Sequence, residues 1–272
     1  MDIGTAKPTA DDIRAVPHHM IDIIPPEESF SVADFVARAT IETRDIIDRG
    51  ALPILCGGTG LYIDSFIYGR DFGDAASDEN LRQELREYAE KHGAEALHDV
   101  LKKADPVAAN AIHSNNIKRV IRAIEICKTV NMTKTEWDKK ADSHDPRYDA
   151  VMISIGCRDR ENLYRRINER VDKMIASGLV EETKHLRDEG IFDANSTASQ
   201  AIGYKEIIPY LDGVITLDEA VENLKTATRR YAKRQLTWFN RNESIVRLYR
   251  EDYPDADALA DAAISVIGGK NG

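Results

Sequence analysis

The sequence predicts an α/β fold: a small parallel sheet carried by helices and interrupted by a helical insertion. Three observations predict it. Two short apolar runs, "LPILCG" (52–57) and "AVMISIGC" (150–157), read as buried strands, the first ended by a glycine turn. Nearly everything else has helical periodicity, and strands that alternate with helices favour a parallel sheet. Helical sequence between about 72 and 142 separates the two strands, as an inserted domain would. The expected division is a discontinuous core, residues 1–71 and 143–272, with a helical insertion at 72–142. Two strands are few for such a sheet, so either the sheet is very small or part of it lies outside this chain.

Each element has a local reason. "SVADFVARATIETRDIIDRG" opens on Ser31, a residue that caps helix starts, and stops at Gly50. Residues 78–104 and 106–129 are helix-like, with Ser114 and Asn115 offering a second helix start. The polar, proline-containing segment "KKADSHDPRYD" (139–149) reads as a linker. "DRENLYRRINERVDKMIASG" (159–178) ends at a glycine, as does the helix before Gly190. Residues 217–240 and 254–266 complete the set.

Composition limits the function classes. A net charge of −10 excludes a surface coated in nucleic acid, so a polyanion site has to be a local basic patch. Three scattered cysteines, Cys56, Cys127 and Cys157, form neither a zinc spacing nor a disulfide framework, which points to a reducing compartment. No apolar run is long enough to span a bilayer, and "MDIGTAKPTA" lacks the features of a signal peptide. The expectation is a monomer in the cytoplasm, away from membranes.

One stretch departs from the acidic whole. "NLKTATRRYAKRQLTWFNR" (223–241) holds six Lys or Arg and no Asp or Glu. On a helical wheel Arg229, Arg230, Lys233, Arg234 and Arg241 fall within an arc of roughly 140°. Leu224, Ala227, Tyr231, Leu236, Trp238 and Phe239 take the other side, which reads as core. A solvated face usually mixes signs through i,i+4 pairs, and this one does not. The face either meets phosphate or finds acidic partners elsewhere in the fold. "LYRRINERVD" places Arg166 and Arg170 on one helical face beside Arg165, a grouping suited to phosphate oxygens. Glu161, Glu169 and Asp172 are near enough to make ordinary surface ion pairs instead. "NNIKRVIRAIE" puts Lys118, Arg119 and Arg122 in the first turns of a helix, whose start attracts anions. The turn Gly57, Gly58, Thr59, Gly60 follows a strand, where open α/β sheets collect ligands. It is not a Walker A loop, and a purely structural turn is the other reading. Thr59 alone there offers a side-chain donor and acceptor.

Taken together and in order, "MDIGTAKPT", "VPHHMIDI", "SVADF", "LPILCGGTGLY", "IKRVIRAIE", "LYRRINERVDKMIASGLVEE", "QAIGYKEI" and "TRRYAKRQLTWF" resemble the tRNA dimethylallyltransferases, also called tRNA isopentenyltransferases. The resemblance covers nearly the whole chain to about residue 250. It implies a core like that of the ATP-binding P-loop kinases, with a helical insertion that grips the anticodon stem-loop of tRNA. It also implies transfer of a dimethylallyl group from dimethylallyl diphosphate to the N6 amine of an adenosine beside the anticodon, with Mg²⁺. Carried over by position, Thr59 with Gly57, Gly58 and Gly60 matches the reaction channel, and Arg166 or Arg170 the region that binds diphosphate. Arg82, and the segment Lys118, Arg119, Val120, Ile121, Arg122, match tRNA contacts; Lys118 stands where the family usually has Gln. The helix bearing Arg229, Arg230, Lys233 and Arg234 is then expected to face phosphate.

The family pattern also places a first strand, a P-loop, a helix, a second strand and a general-base Asp before the motif in which this sequence begins. The resemblance therefore implies missing N-terminal strands, exposed apolar strand edges and slight transfer by these 272 residues alone. An RNA-binding remnant without activity is the alternative. A nucleotide kinase is permitted by the fold but disfavoured by "GGTGLY" and "AKRQLTWF".

Overall fold

The computed structural model describes residues 1–69, 78–141, 146–192 and 197–269. Its helices and strands follow in chain order. Helix α1 (Ala10–Ala15) and helix α2 (Val32–Asp48) each begin with a reciprocal cap, Thr9 with Asp12 and Ser31 with Asp34. Then come α3 (Gly60–Ile67), α4 (Glu79–His92), α5 (Ala94–Ala104), α6 (Pro106–Ala111), α7 (Ile117–Thr129) and α8 (Lys134–Ala141). Strand β1 (Ile153–Gly156) leads into α9 (Arg160–Ala176), α10 (Leu179–Asp188), α11 (Tyr204–Leu211) and the long α12 (Leu217–Phe239). Strand β2 (Val246–Tyr249) and α13 (Ala256–Gly269) close the chain.

The chain forms two compact units, Met1–Ile63 with Asp149–Gly272, and Asp64–Tyr148. The expected boundaries at 71/72 and 142/143 lie outside the described residues. In the discontinuous unit, Val171, Leu179, Tyr204, Ile207, Ala220 and Leu224 make one apolar core among α9, α10, α11 and α12. The two strands pair in parallel, Ile153 opposite Val246 and Gly156 opposite Tyr249. The N-terminal loop is tied to this core by one carboxylate. Glu182 accepts from the amides of Ile3 at 3.0 Å and Gly4 at 3.3 Å, and from the Tyr204 hydroxyl at 3.0 Å.

The middle unit packs Leu85, Leu97, Leu101, Val120 and Ile124 from α4, α5 and α7. Asp105, 1% exposed, serves two elements at once: it caps α6 through the amides of Val107 and Ala108, and holds α8 through the Thr135 amide at 2.8 Å.

Several expectations are corrected. Residues 52–57 form no strand among the described residues; Leu52 is 65% and Ile54 74% exposed. A strand exists by its neighbours, and the parallel partner of β1 is Val246–Tyr249, a run too short to stand out in sequence. The helix 78–104 is two helices. Gly93, at φ +89°, takes a conformation that L side chains resist and ends α4 there. Within 106–129 the second helix start is present as expected, but its cap is Asn116, not Ser114 or Asn115. Lys139–Ala141 belong to α8, so the linker reading fails at its first residues, while 142–145 lie outside the described residues.

Candidate active site and anion-binding surfaces

In the discontinuous unit the site is built on the start of α3 and the second half of α12. The glycine turn delivers Thr59 to the surface, and its Oγ1 lies 3.3 Å from the Tyr231 hydroxyl of α12. Gln235, one turn further on, donates to the Gly58 carbonyl at 3.1 Å. Gly60 is buried against the Trp238 ring, and a Cβ at residue 60 would run into that ring. Three successive turn residues are thus fastened to one side of α12, at positions 231, 235 and 238, which share a helical face. Gly57 has no such neighbour.

The cationic residues of α12 divide. Arg229 is half-buried: it donates to Asn168 of α9 at 2.7 Å and to Thr226 at 2.9 Å, and lies 6.0 Å from the centre of the Tyr164 ring. Arg230, Lys233 and Arg234 are exposed and have no carboxylate partner among the described residues. Arg234 sits 5.4 Å from the centre of the Tyr231 ring, a cation–π arrangement beside Thr59. Acidic partners do exist for Lys225, which pairs with Asp172 at 2.8 Å. Lys225 lies two turns before the exposed cations, so the one-signed face survives where it adjoins the glycine turn.

Other assignments hold less well. Arg241 falls beyond the helix, after the Asn240 cap, and Leu236, placed on the core side, is 42% exposed. Arg166 and Arg170 are exposed on α9 next to buried Ile167 and Val171. No hydrogen bond or ion pair joins either to Thr59 or to residues 229–234 among the described residues. Arg165 makes the ordinary surface pair, with Glu169 at 3.2 Å. Sequence reasoning missed both contacts to the glycine turn, because it assigned Tyr231 to the core and did not single out Gln235. Their polar tips beside an apolar wheel face were the available signal, but the turn they meet is far away in sequence.

The middle unit carries a second cationic group. Lys118 and Arg119 are exposed on the first turn of α7, while Val120 and Ile121 are buried and serve packing. Arg82 and Arg122 converge on Glu125, whose side chain is fully buried. Among the described residues no group of three or more His, Cys, Asp or Glu side chains is placed to hold a metal ion. No described helix is long and apolar enough to cross a membrane.

Comparison with known proteins places these features in a family. The family model described as IPP transferase matches residues 1–242. A tRNA dimethylallyltransferase of Halalkalibacterium halodurans is 51% identical over 270 residues, covering 99% of this chain and 85% of its own length. The crystal structure of the full-length tRNA isopentenylpyrophosphate transferase from Bacillus halodurans shares 47% identity with a TM-score of 0.70, over 99% of this chain and 83% of that one. A eukaryotic dimethylallyltransferase captured acting on tRNA shares 26% identity with a TM-score of 0.76, over 96% of this chain and 67% of that one.

Proposed function

This chain belongs to the IPP transferase family, and on that premise we propose that it transfers a dimethylallyl group from dimethylallyl diphosphate to the N6 amine of an adenosine beside the tRNA anticodon. The observation that carries the reading is the Thr59–Tyr231 contact, which fastens the glycine turn to the cationic second half of α12. The reaction asks for an oriented amine and cations near a departing diphosphate, and the reading is supported by Thr59 meeting α12 at Tyr231, within one turn of Lys233 and Arg234.

In the transfer the amine nitrogen bonds to the allylic carbon, the carbon–oxygen bond to diphosphate breaks, and the amine's proton leaves with the released diphosphate. When the Thr59 hydroxyl donates to Tyr231, its oxygen is left to accept an amine N–H and hold the nitrogen toward the allyl group. The charge that grows on the leaving oxygen is met by Arg234 and Lys233, which are in place before reaction. Arg230 is the next cation along, and Arg166 or Arg170 meets the far end of the diphosphate. Mg²⁺ bound to the diphosphate would supply further neutralisation of the leaving group's charge. The adenine reaches the site from a loop whose bases are already single-stranded, which lowers the cost of extrusion. In the middle unit Arg82, Arg122, Lys118 and Arg119 contact the RNA backbone. The protein works in the cytoplasm as a monomer.

The test uses dimethylallyl diphosphate labelled in the allyl group. Incubated with the protein and tRNA, it should leave label on adenosine N6, and Thr59→Ala should slow incorporation by about 10²-fold, the usual effect of losing one transition-state hydrogen bond. Equal rates with and without the Thr59 hydroxyl would remove it from the site. RNA binding without any label on adenosine would instead make this an RNA-binding protein.

A further inference from the structure

Glu125 lies within a run of α7 in which Val120, Ile121, Ala123, Ile124 and Ile126 are all buried, and its own side chain is 0% exposed. It accepts three hydrogen bonds: Arg82 Nη2 to Oε2 at 3.0 Å, Arg122 Nη1 to Oε2 at 2.5 Å, and the Asp78 amide to Oε1 at 2.9 Å; Arg82 Nε adds an ion-pair contact to Oε1 at 2.9 Å. Two nitrogens of Arg82 thus face the two carboxylate oxygens, one by a hydrogen bond and one by an ion-pair contact, which orients its guanidinium. Both arginines keep access to solvent, 28% for Arg82 and 36% for Arg122.

Stability alone is a poor account of this arrangement. Burying a carboxylate costs several kcal/mol of desolvation, and apolar side chains in the same place commonly do as well. One arginine would already neutralise one carboxylate. Two leave Glu125 and its arginines net positive, offset only at the edge by Glu79, which Arg82 shares with Arg86, and they are held side by side although they repel each other. An anion behind them is what makes that geometry possible.

We propose that Glu125 is a positioning residue that holds Arg82 and Arg122 as a paired cationic fork for the phosphodiester backbone of RNA. The inference rests on the tRNA reading above. Glu79, which lies 3.6 Å from Arg82 at its edge, is the group a phosphate would displace.

The experiment is binding of a synthetic anticodon stem-loop RNA to the full chain by fluorescence anisotropy across a series of KCl concentrations. Glu125→Gln makes the protein more positive, so charge alone would tighten binding. Positioning demands the opposite: affinity about tenfold weaker, and a salt slope shallower by about one unit as a phosphate contact is lost. Circular dichroism melts establish that the variant is folded at the assay temperature. Binding by folded Glu125→Gln as tight as the parent's, or tighter, overturns the proposal. If that variant does not fold, Arg122→Lys carries the test, because it keeps the charge and loses the planar fork. Weaker binding by Arg122→Lys is expected, and unchanged affinity overturns the proposal. Failure of both to fold also overturns it, assigning the cluster to stability. If the parent chain itself ignores the RNA, the tRNA reading fails first and the fork with it.

Discussion

Thr59 depends on neighbours that have no freedom to move aside. Gly60 is packed against Trp238, an aromatic ring that a new Cβ would displace. Gly60→Ala should therefore cost about 1–3 kcal/mol, the usual penalty for overpacking, and should slow transfer by shifting Thr59. A urea melt and the label-transfer rate check the two halves. Tyr204 is equally constrained. It is fully buried, and its burial together with Glu182 pushes its hydroxyl well above the usual tyrosine range, so it stays a neutral donor. Tyr204→Phe should cost about 1.5–3 kcal/mol in the same melt, the loss of one hydrogen bond to a charged group. The Gly4 amide loses a partner too, at 3.2 Å, so the N-terminal loop should exchange its amide protons faster.

Among the elements, α7 and α12 carry cations in different ways, and mutation should separate them. Arg82 answers a fully buried carboxylate. Arg82→Ala leaves Glu125 with one arginine fewer and should destabilise the middle unit by roughly 3–5 kcal/mol, besides weakening RNA binding. Arg230 on α12 is exposed, with no carboxylate partner among the described residues. Arg230→Ala should leave the melt within about 0.5 kcal/mol of the parent, as surface substitutions do, and act on the diphosphate alone. Parallel thermal melts and affinity for dimethylallyl diphosphate distinguish the two. The cationic wheel face of α12 was legible because helix geometry places side chains by short-range spacing. Which of its cations are spent inside the protein was not legible. Lys225 is paired with Asp172 and Arg229 is held by Asn168, both on α9.

For the whole molecule, acid is the informative perturbation. Burial alone would raise the carboxyls of Glu125 and Asp105. The arginines and backbone amides that bond to them outweigh it and hold both below their ordinary values of 4.5 and 3.8. A carboxyl depressed in the folded state stabilises fully above its unfolded pKa, and that contribution is lost as pH falls through the folded value. Thermal melts should therefore show a steady loss of stability of the middle unit below about pH 4.5. Glu125→Gln should flatten the part of that loss due to Glu125, which faces Arg82 and Arg122, with Glu79 beyond. A pH profile identical in parent and variant would count against the assignment. The 52–57 run belongs to this scale as well. Its apolar residues lie exposed without a sheet partner among the described residues, so a strand signal read from composition was only half of what a strand requires.

Most helix positions, the Ser31 cap and the ordered set of family motifs were written in the sequence, because each depends on residues within a few turns of one another. Ser31 with Asp34, and Thr216 with Glu219, are such local decisions. The pairing of β1 with β2, the contact of Thr59 with Tyr231 across 172 residues, and the capture of Arg82 by Glu125 across 43 were decided only by tertiary structure. No spacing encodes them: they arise when separate elements bury their apolar faces, and the polar groups carried along must then find partners wherever the packing leaves them.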